Sequence, residues 1–135
     1  MAAFLFKTEP SEYSFADLER DRRATWDGVS NALALIHLRR VSKGDTVVIY
    51  HTGNEKQAVG LAVAVSDAFP DPKLRDPRRV VVDLKPERPL AKPVSLATFR
   101  ADPVLRTVEL TRLPRLSVMP LTAAHLRQLL RLAAG

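Results

Sequence analysis

The side chains of this 135-residue chain whose types could do chemistry fall mostly in three short strings: Lys7-Thr8-Glu9-Pro10, Trp26-Asp27-Gly28-Val29-Ser30-Asn31 and Tyr50-His51-Thr52-Gly53-Asn54. Trp26, the sole tryptophan, offers a π-face on which a planar base stacks, worth ~1–3 kcal/mol per base. Its structural alternative is a core or helix-start anchor, which the usual burial of tryptophan favours. Asn31 and Thr52 each donate and accept hydrogen bonds at a base edge, or serve as helix-start and turn residues. Glu9 accepts from an exocyclic amine of the cytosine type, or is a solvated turn residue before Pro10. Lys7 holds a phosphate or carbonyl oxygen, or is a surface lysine. His51 offers a neutral imidazole to a base or phosphate, or finishes a strand. Ser117 and Met119 share one face of a late strand, where Met119 packs on a ring or fills the core.

Most catalytic chemistries lack their residues. There is no cysteine, hence no disulfide, thiolate zinc site or Cys nucleophile, which suits a reducing cytoplasm. Gly28, Gly44, Gly53, Gly60 and Gly135 fit neither a P-loop nor a dinucleotide fingerprint. His37, His51 and His125 stand far apart without a carboxylate at metal-ligand spacing, so neither a metal nor another cofactor is expected. No Gly-x-Ser-x-Gly elbow presents a hydrolase serine.

The elements that must carry the three strings alternate between strand and helix. Ala3 to Lys7, Thr46 to Tyr50, Ala58 to Ser66 and Arg79 to Leu84 are short and rich in Val, Ile and aromatics, as strands are. Leu116 to Pro120 reads as a last strand. In the third of these, Gly60, Ala62 and Ala64 make a face of small residues that lets a helix, a backbone or a ligand approach closely. Ser14 with Asp17, Ser95 with Phe99, and Thr122 with Leu126 carry cap and staple signals, predicting helices from about 15, 96 and 123. Asp102-Pro103 is a further cap, and a fourth helix is expected over Val29–Arg40. If the sheet curls, the strand ends converge on one pocket. The pattern predicts an α+β fold with a curled or barrel-like sheet, residues 1–135 forming one domain. The longest apolar run, Ala58 to Val65, is too short for a bilayer, and the amino terminus shows no secretion signal.

Charge narrows the partner class. Residues 1–68 hold 8 Lys+Arg and 9 Asp+Glu, a balance of −1, whereas residues 69–135 hold 13 and 6, a balance of +7. Basic charge gathered in one half is the electrostatic footprint of a nucleic-acid partner, or a device for solubility. Lys73, Arg75, Arg78 and Arg79 on the proline-rich loop, then Arg112 and Arg115 before the last strand, are the candidates for backbone phosphates. Arg127 and Arg131 read as a solvated helix face.

Taken in order, Phe6-Lys7-Thr8-Glu9-Pro10-Ser11-Glu12-Tyr13-Ser14, Trp26-Asp27-Gly28-Val29 with Asn31, Tyr50-His51-Thr52, Val59-Gly60, Ala68-Phe69-Pro70-Asp71-Pro72 and Arg115-Leu116-Ser117-Val118-Met119-Pro120-Leu121 resemble the EVE domain family over nearly the whole chain. The resemblance implies a PUA-like mixed β pseudo-barrel flanked by short helices, and a non-enzymatic reader of a modified base, often a modified cytosine in DNA or RNA. The implied pocket is aromatic-lined and takes an extruded base, with Lys7, Thr8, Glu9, Trp26, Asn31, Tyr50, His51, Thr52, Ser117 and Met119 around it. Such domains occur alone or joined to restriction-type enzymes, which implies a partner enzyme of that kind. Thr8 and Thr52 depart from the serines many relatives carry, each adding a methyl. After Asn31, where relatives continue with an aromatic or Gln and an Arg, this chain has Ala32-Leu33-Ala34-Leu35-Ile36. One alternative is an amidohydrolase of acylated nucleosides, as in ASCH-type relatives, using Lys7, Thr8 and Glu9. Another is a protein-interaction module with a vestigial pocket.

Overall fold

The apolar run Ala3-Phe4-Leu5-Phe6 forms the spine of the sheet, within β1 (Ala3–Thr8). A strand covered on both faces reads as continuous hydrophobics, and all four residues are buried. The strand runs parallel to β3 (Thr46–His51) and antiparallel to β7 (Val118–Leu121). Beyond β3 lie β4 (Gln57–Ala64), the long β6 (Val80–Ser95) and the short β2 (Ala24–Trp26), giving the order β2-β6-β4-β3-β1-β7, with β5 (Phe69–Pro70) on β6. The computed structural model describes residues 1–134; Gly135 lies outside the described residues.

Register shifts at Ile49/Tyr50, Ala58/Gly60 and Leu61/Ala62 put extra residues into the β3–β4 and β4–β6 ladders. Each bulge increases local twist, and together they curl the sheet into a half-barrel. The small-residue face of β4 is where α1 (Phe15–Asp21) approaches: a Cβ on Gly60 would stand 2.5 Å from the Phe15 ring. Only glycine allows that contact.

Capping sets the helix boundaries. In α1 the Ser14 hydroxyl accepts from the Asp17 N–H at 3.0 Å and the Asp17 carboxylate from the Ser14 N–H at 2.9 Å. The expected helix over Val29–Arg40 is shorter, α2 (Ala32–Leu38), because Gly28 turns the chain at φ +77 and the Asn31 side chain closes the first turn. α3 (Leu96–Ala101) starts on Ser95 and α4 (Ala123–Ala133) on Thr122, where His125 Nδ1 accepts the Thr122 N–H at 3.1 Å. Asp102 does cap, accepting from Val104 and Leu105, but into a 3-10 turn over Leu105–Thr107.

Two strand expectations are corrected and β2 is added. The strand expected over Arg79–Leu84 continues to Ser95 through Pro86, Pro89 and Pro93. Proline is tolerated because this part of β6 pairs with β4 alone, leaving an open edge. The sequence pattern places no strand at Ala24–Trp26, yet β2 pairs Ala24, Thr25 and Trp26 with Leu84, Asp83 and Val82. The last strand begins at Val118, two residues after its expected start. No described helix is long and apolar enough to cross a membrane.

Candidate functional site

A cavity of about 570 Å³ opens where the end of β1 and the turn after it face β2. One wall is aromatic. Half-buried Trp26 packs on Phe6 (ring centroids 5.7 Å apart, planes at 47°), and Tyr13 meets it edge-on at 6.2 Å and 81°. Trp26 and Tyr13 both line the cavity, with their ring planes close to a right angle. The strand under Trp26 is pinned from outside: the Thr25 hydroxyl donates to Asp83 at 2.6 Å, and Arg23 pairs with the same carboxylate at 3.0 Å. Those donors hold the Asp83 carboxyl below its ordinary range, led by the Thr25 hydrogen bond.

The polar part of the lining is partly committed. Lys7 Nζ donates to the Pro114 carbonyl at 2.6 Å, leaving two N–H groups for a guest. Burial lowers the Lys7 pKa. The Thr8 hydroxyl donates to the Tyr13 carbonyl at 2.6 Å, so toward the cavity it acts as an acceptor. Glu9 Oε1 accepts from the Ser11 N–H and hydroxyl at 3.2 and 3.1 Å, and Oε2 lies 3.4 Å from the Thr52 hydroxyl. Gly53, at φ +70, comes so close to Glu9 that a Cβ there would sit 2.5 Å from Oε2. The carboxylate is therefore held in place by its neighbours. Tyr13, desolvated and bonded to Asp21 at 2.9 Å, has its pKa pushed up to about 12 and stays a neutral phenol. Glu12 and Asp27 also line the cavity, so three carboxylates face one ammonium.

Of the residues singled out by sequence, Lys7, Thr8, Glu9, Trp26 and Ser117 line this cavity. Five others do not. Asn31 caps α2, its Oδ1 accepting from the Ala34 N–H at 3.0 Å, and lines a separate groove. Tyr50 is buried and edge-on to Phe99 at 6.4 Å. His51 is structural: its Nε2 accepts the Phe15 N–H at 3.0 Å, which puts the ring proton on Nδ1, 2.9 Å from Glu55. Met119 is fully buried in β7 opposite Leu5. Thr52 stands behind Glu9, its hydroxyl 3.3 Å from the Thr8 carbonyl. Sequence reasoning missed Glu12, Tyr13, Ala24, Thr25, Asp27, Gly28 and Val29 as lining residues. Tyr13 was legible only as half of a helix staple, and the short β2 that brings Thr25 and Trp26 together carried no strand signal of its own.

The basic candidates sit outside the cavity. Lys73 and Arg75 are exposed on the loop between β5 and β6, and Arg115 is exposed before β7; none forms an ion pair among the described residues. Arg78 is clasped by Asp76 at 3.0 Å, and Arg112 lies 3.6 Å from Glu109. Arg79 Nε donates to the Val29 carbonyl at 3.0 Å, tying the basic loop to the cavity wall. No group of three or more His, Asp or Glu among the described residues is placed to hold a metal.

Solved structures share this architecture. Rpa0253 from Rhodopseudomonas palustris is 34% identical, with 98% of this chain and 93% of that chain covered and a TM-score of 0.93. Human THYN1 in complex with DNA containing 5-methylcytosine is 25% identical, covering 100% of this chain and 99% of that one, at a TM-score of 0.91. An ASCH protein from Zymomonas mobilis, 14% identical over 96% of this chain and 94% of that chain with a TM-score of 0.61, shares the fold alone. No curated protein matches the sequence. The curled sheet with its four described α-helices is the PUA-like pseudo-barrel that the resemblance implied. The EVE domain model matches residues 2–132, and the chain belongs to the EVE domain family.

Proposed function

We propose that this domain is a non-enzymatic reader that captures one modified nucleobase, of the cytosine class, from DNA or RNA. The observation that carries the reading is that one cavity brings together the perpendicular rings of Trp26 and Tyr13 and the Glu9 carboxylate held by Ser11. A base stacks on the indole, worth ~1–3 kcal/mol. Glu9 accepts from its exocyclic amine, the pairing that favours cytosine, and the two remaining Lys7 protons reach a ring carbonyl. Three carboxylates repel a phosphate from the cavity, so the backbone belongs outside, along Lys73, Arg75, Arg79 and Arg115. THYN1, a relative bound to DNA containing 5-methylcytosine, supports the same ligand class.

The hydrolase alternative finds less support in the wiring. The Thr8 hydroxyl proton points to the Tyr13 carbonyl and Lys7 to the Pro114 carbonyl, so neither is joined to a base that would activate it.

The sole tryptophan makes the test direct. Titration with oligonucleotides bearing unmodified or modified cytosine, as DNA and as RNA at fixed salt, quenches Trp26 fluorescence with a preference for a modified form. Trp26→Ala retains the fold by circular dichroism and loses about ten- to hundredfold in affinity, measured by anisotropy of a labelled oligonucleotide. Unchanged affinity in that folded variant overturns the reading, as does quenching by all oligonucleotides alike.

A further inference from the structure

Beside the base cavity runs a second hollow of about 310 Å³, lined by Asn31, Leu33, Leu113, Pro114, Arg115 and Leu116. Its lining is largely aliphatic and exposed: Leu33 is 39% and Leu113 37% exposed. Adjoining residues of the same segments line both hollows. Val29 lines the cavity and Asn31, two residues on, lines the groove; Leu116 lines the groove and Ser117, the next residue, the cavity. Lys7 Nζ, inside the cavity, donates to the Pro114 carbonyl of the groove at 2.6 Å. No acidic residue lines the groove, whereas three line the cavity, and Arg115 is its one cation.

We propose that this groove holds the nucleotide adjoining the captured base, its sugar and base lying against Leu33 and Leu113 and its phosphate at Arg115. The inference rests on the base-capture reading and adds to it a subsite for a neighbour. An apolar lining that includes a guanidinium matches a nucleotide, which is flat and apolar on one side and anionic on the other. Asn31 contributes its amide NH2, since its carbonyl is engaged by the Ala34 N–H. The groove follows from the aliphatic Ala32–Ile36 stretch of this chain, and its contacts would be indifferent to the neighbour's identity.

The experiment is a double-mutant cycle between protein and oligonucleotide. A five-nucleotide strand with the modified cytosine at its centre is compared with versions abasic at either flank, against the wild type and the surface variant Leu113→Ser/Arg115→Ala, using Trp26 quenching as readout. In the wild type, one abasic flank weakens binding about tenfold; in the variant the intact strand is already weakened to that extent and the same abasic flank costs less than about twofold. If both proteins bind with quenching and lose equally at every abasic position, the groove is not the subsite while base capture stands. If no strand quenches Trp26, base capture fails and takes the inference with it. If the variant converts an oligomer to a monomer in sedimentation and leaves binding unchanged, the groove joins copies of the chain, and the inference is overturned.

Discussion

Gly53→Ala separates the placement of Glu9 from its presence. The added Cβ would stand 2.5 Å from Glu9 Oε2 and 3.2 Å from both Cδ and Oε1. To reach ordinary contact at about 3.4 Å the oxygen must retreat by about 0.9 Å, which stretches a hydrogen bond of ~2.9 Å beyond the range in which it counts as one. The obstructing atoms end a flexible side chain, so the steric part relaxes cheaply and the fold bears mainly the left-handed backbone, φ +70, at ~1–2 kcal/mol. Thermal unfolding should fall by a few degrees for each kcal/mol of that cost, ~2–8 °C. The base suffers more. A hydrogen bond to a charged acceptor is worth ~1.5–3 kcal/mol, so affinity for the preferred modified oligonucleotide falls about ten- to hundredfold. In a Glu9→Ala background, the same glycine substitution should leave affinity untouched while still lowering the unfolding temperature, because no carboxylate remains to be displaced. If Gly53→Ala lowers the melting temperature yet binds as the wild type does, Glu9 does not touch the base, and the polar half of the site has been misassigned.

Two further substitutions test the frame. Gly60→Ala drives a methyl into the buried Phe15 ring at 2.5 Å and destabilises by about 1–3 kcal/mol in urea unfolding, and Phe15→Leu in the same chain recovers part of it. His37 is buried with neither ring nitrogen bonded among the described residues, and burial lowers its pKa from 6.5 against a weaker opposing pull from Glu109, with Arg40 lowering it further. Below pH 6.5 the unfolded chain takes up a proton that the native His37 refuses, so its share of stability is complete above that pH and drains away as pH falls toward the native pKa. His37→Leu should stabilise by about 1–3 kcal/mol near neutrality and flatten the dependence just below pH 6.5, leaving the part due to His125, whose pKa burial also lowers. An unchanged slope would show that His37 is solvated in solution.

What the sequence made legible is what local chemistry decides. Ser14, Ser95 and Thr122 announce their helices because a hydroxyl at the cap bonds the third N–H along whatever the rest of the chain does. The buried strands show themselves by composition. The parts that stayed hidden depend on partners distant in sequence. β2 is a strand only because Asp83 receives Thr25 and Arg23 from about sixty residues away. β6 passes through three prolines only because no strand claims its outer edge. The same division runs through the site. Lys7, Thr8, Glu9 and Trp26 lie at strand ends or turns and converge once the sheet curls. Tyr50 and His51 belong to the same string as Thr52, but the parallel pairing with β1 takes their side chains elsewhere, to Phe99 and to the first N–H of α1. Asn31 was read as polar at a helix start, and its capping bond is what limits it.

On the proposed reading, the distribution of charge divides the labour of binding. Glu9, Glu12 and Asp27 make the cavity acidic, although the chain as a whole carries +6. An anionic backbone gains nothing by entering it, whereas a base offering N–H donors does. The counter-charges lie on the loop that Arg79 anchors to Val29 and on Arg115, outside the hollow. Contacts of the second kind release counterions and weaken with salt; those of the first kind involve no phosphate and do not. The proposed function therefore makes affinity and discrimination separable. If the base is captured as proposed, raising the salt concentration should weaken binding to modified and unmodified strands by the same factor and leave their ratio intact, because on that reading the ratio is set inside the cavity by Trp26, Tyr13 and Glu9 and involves no phosphate.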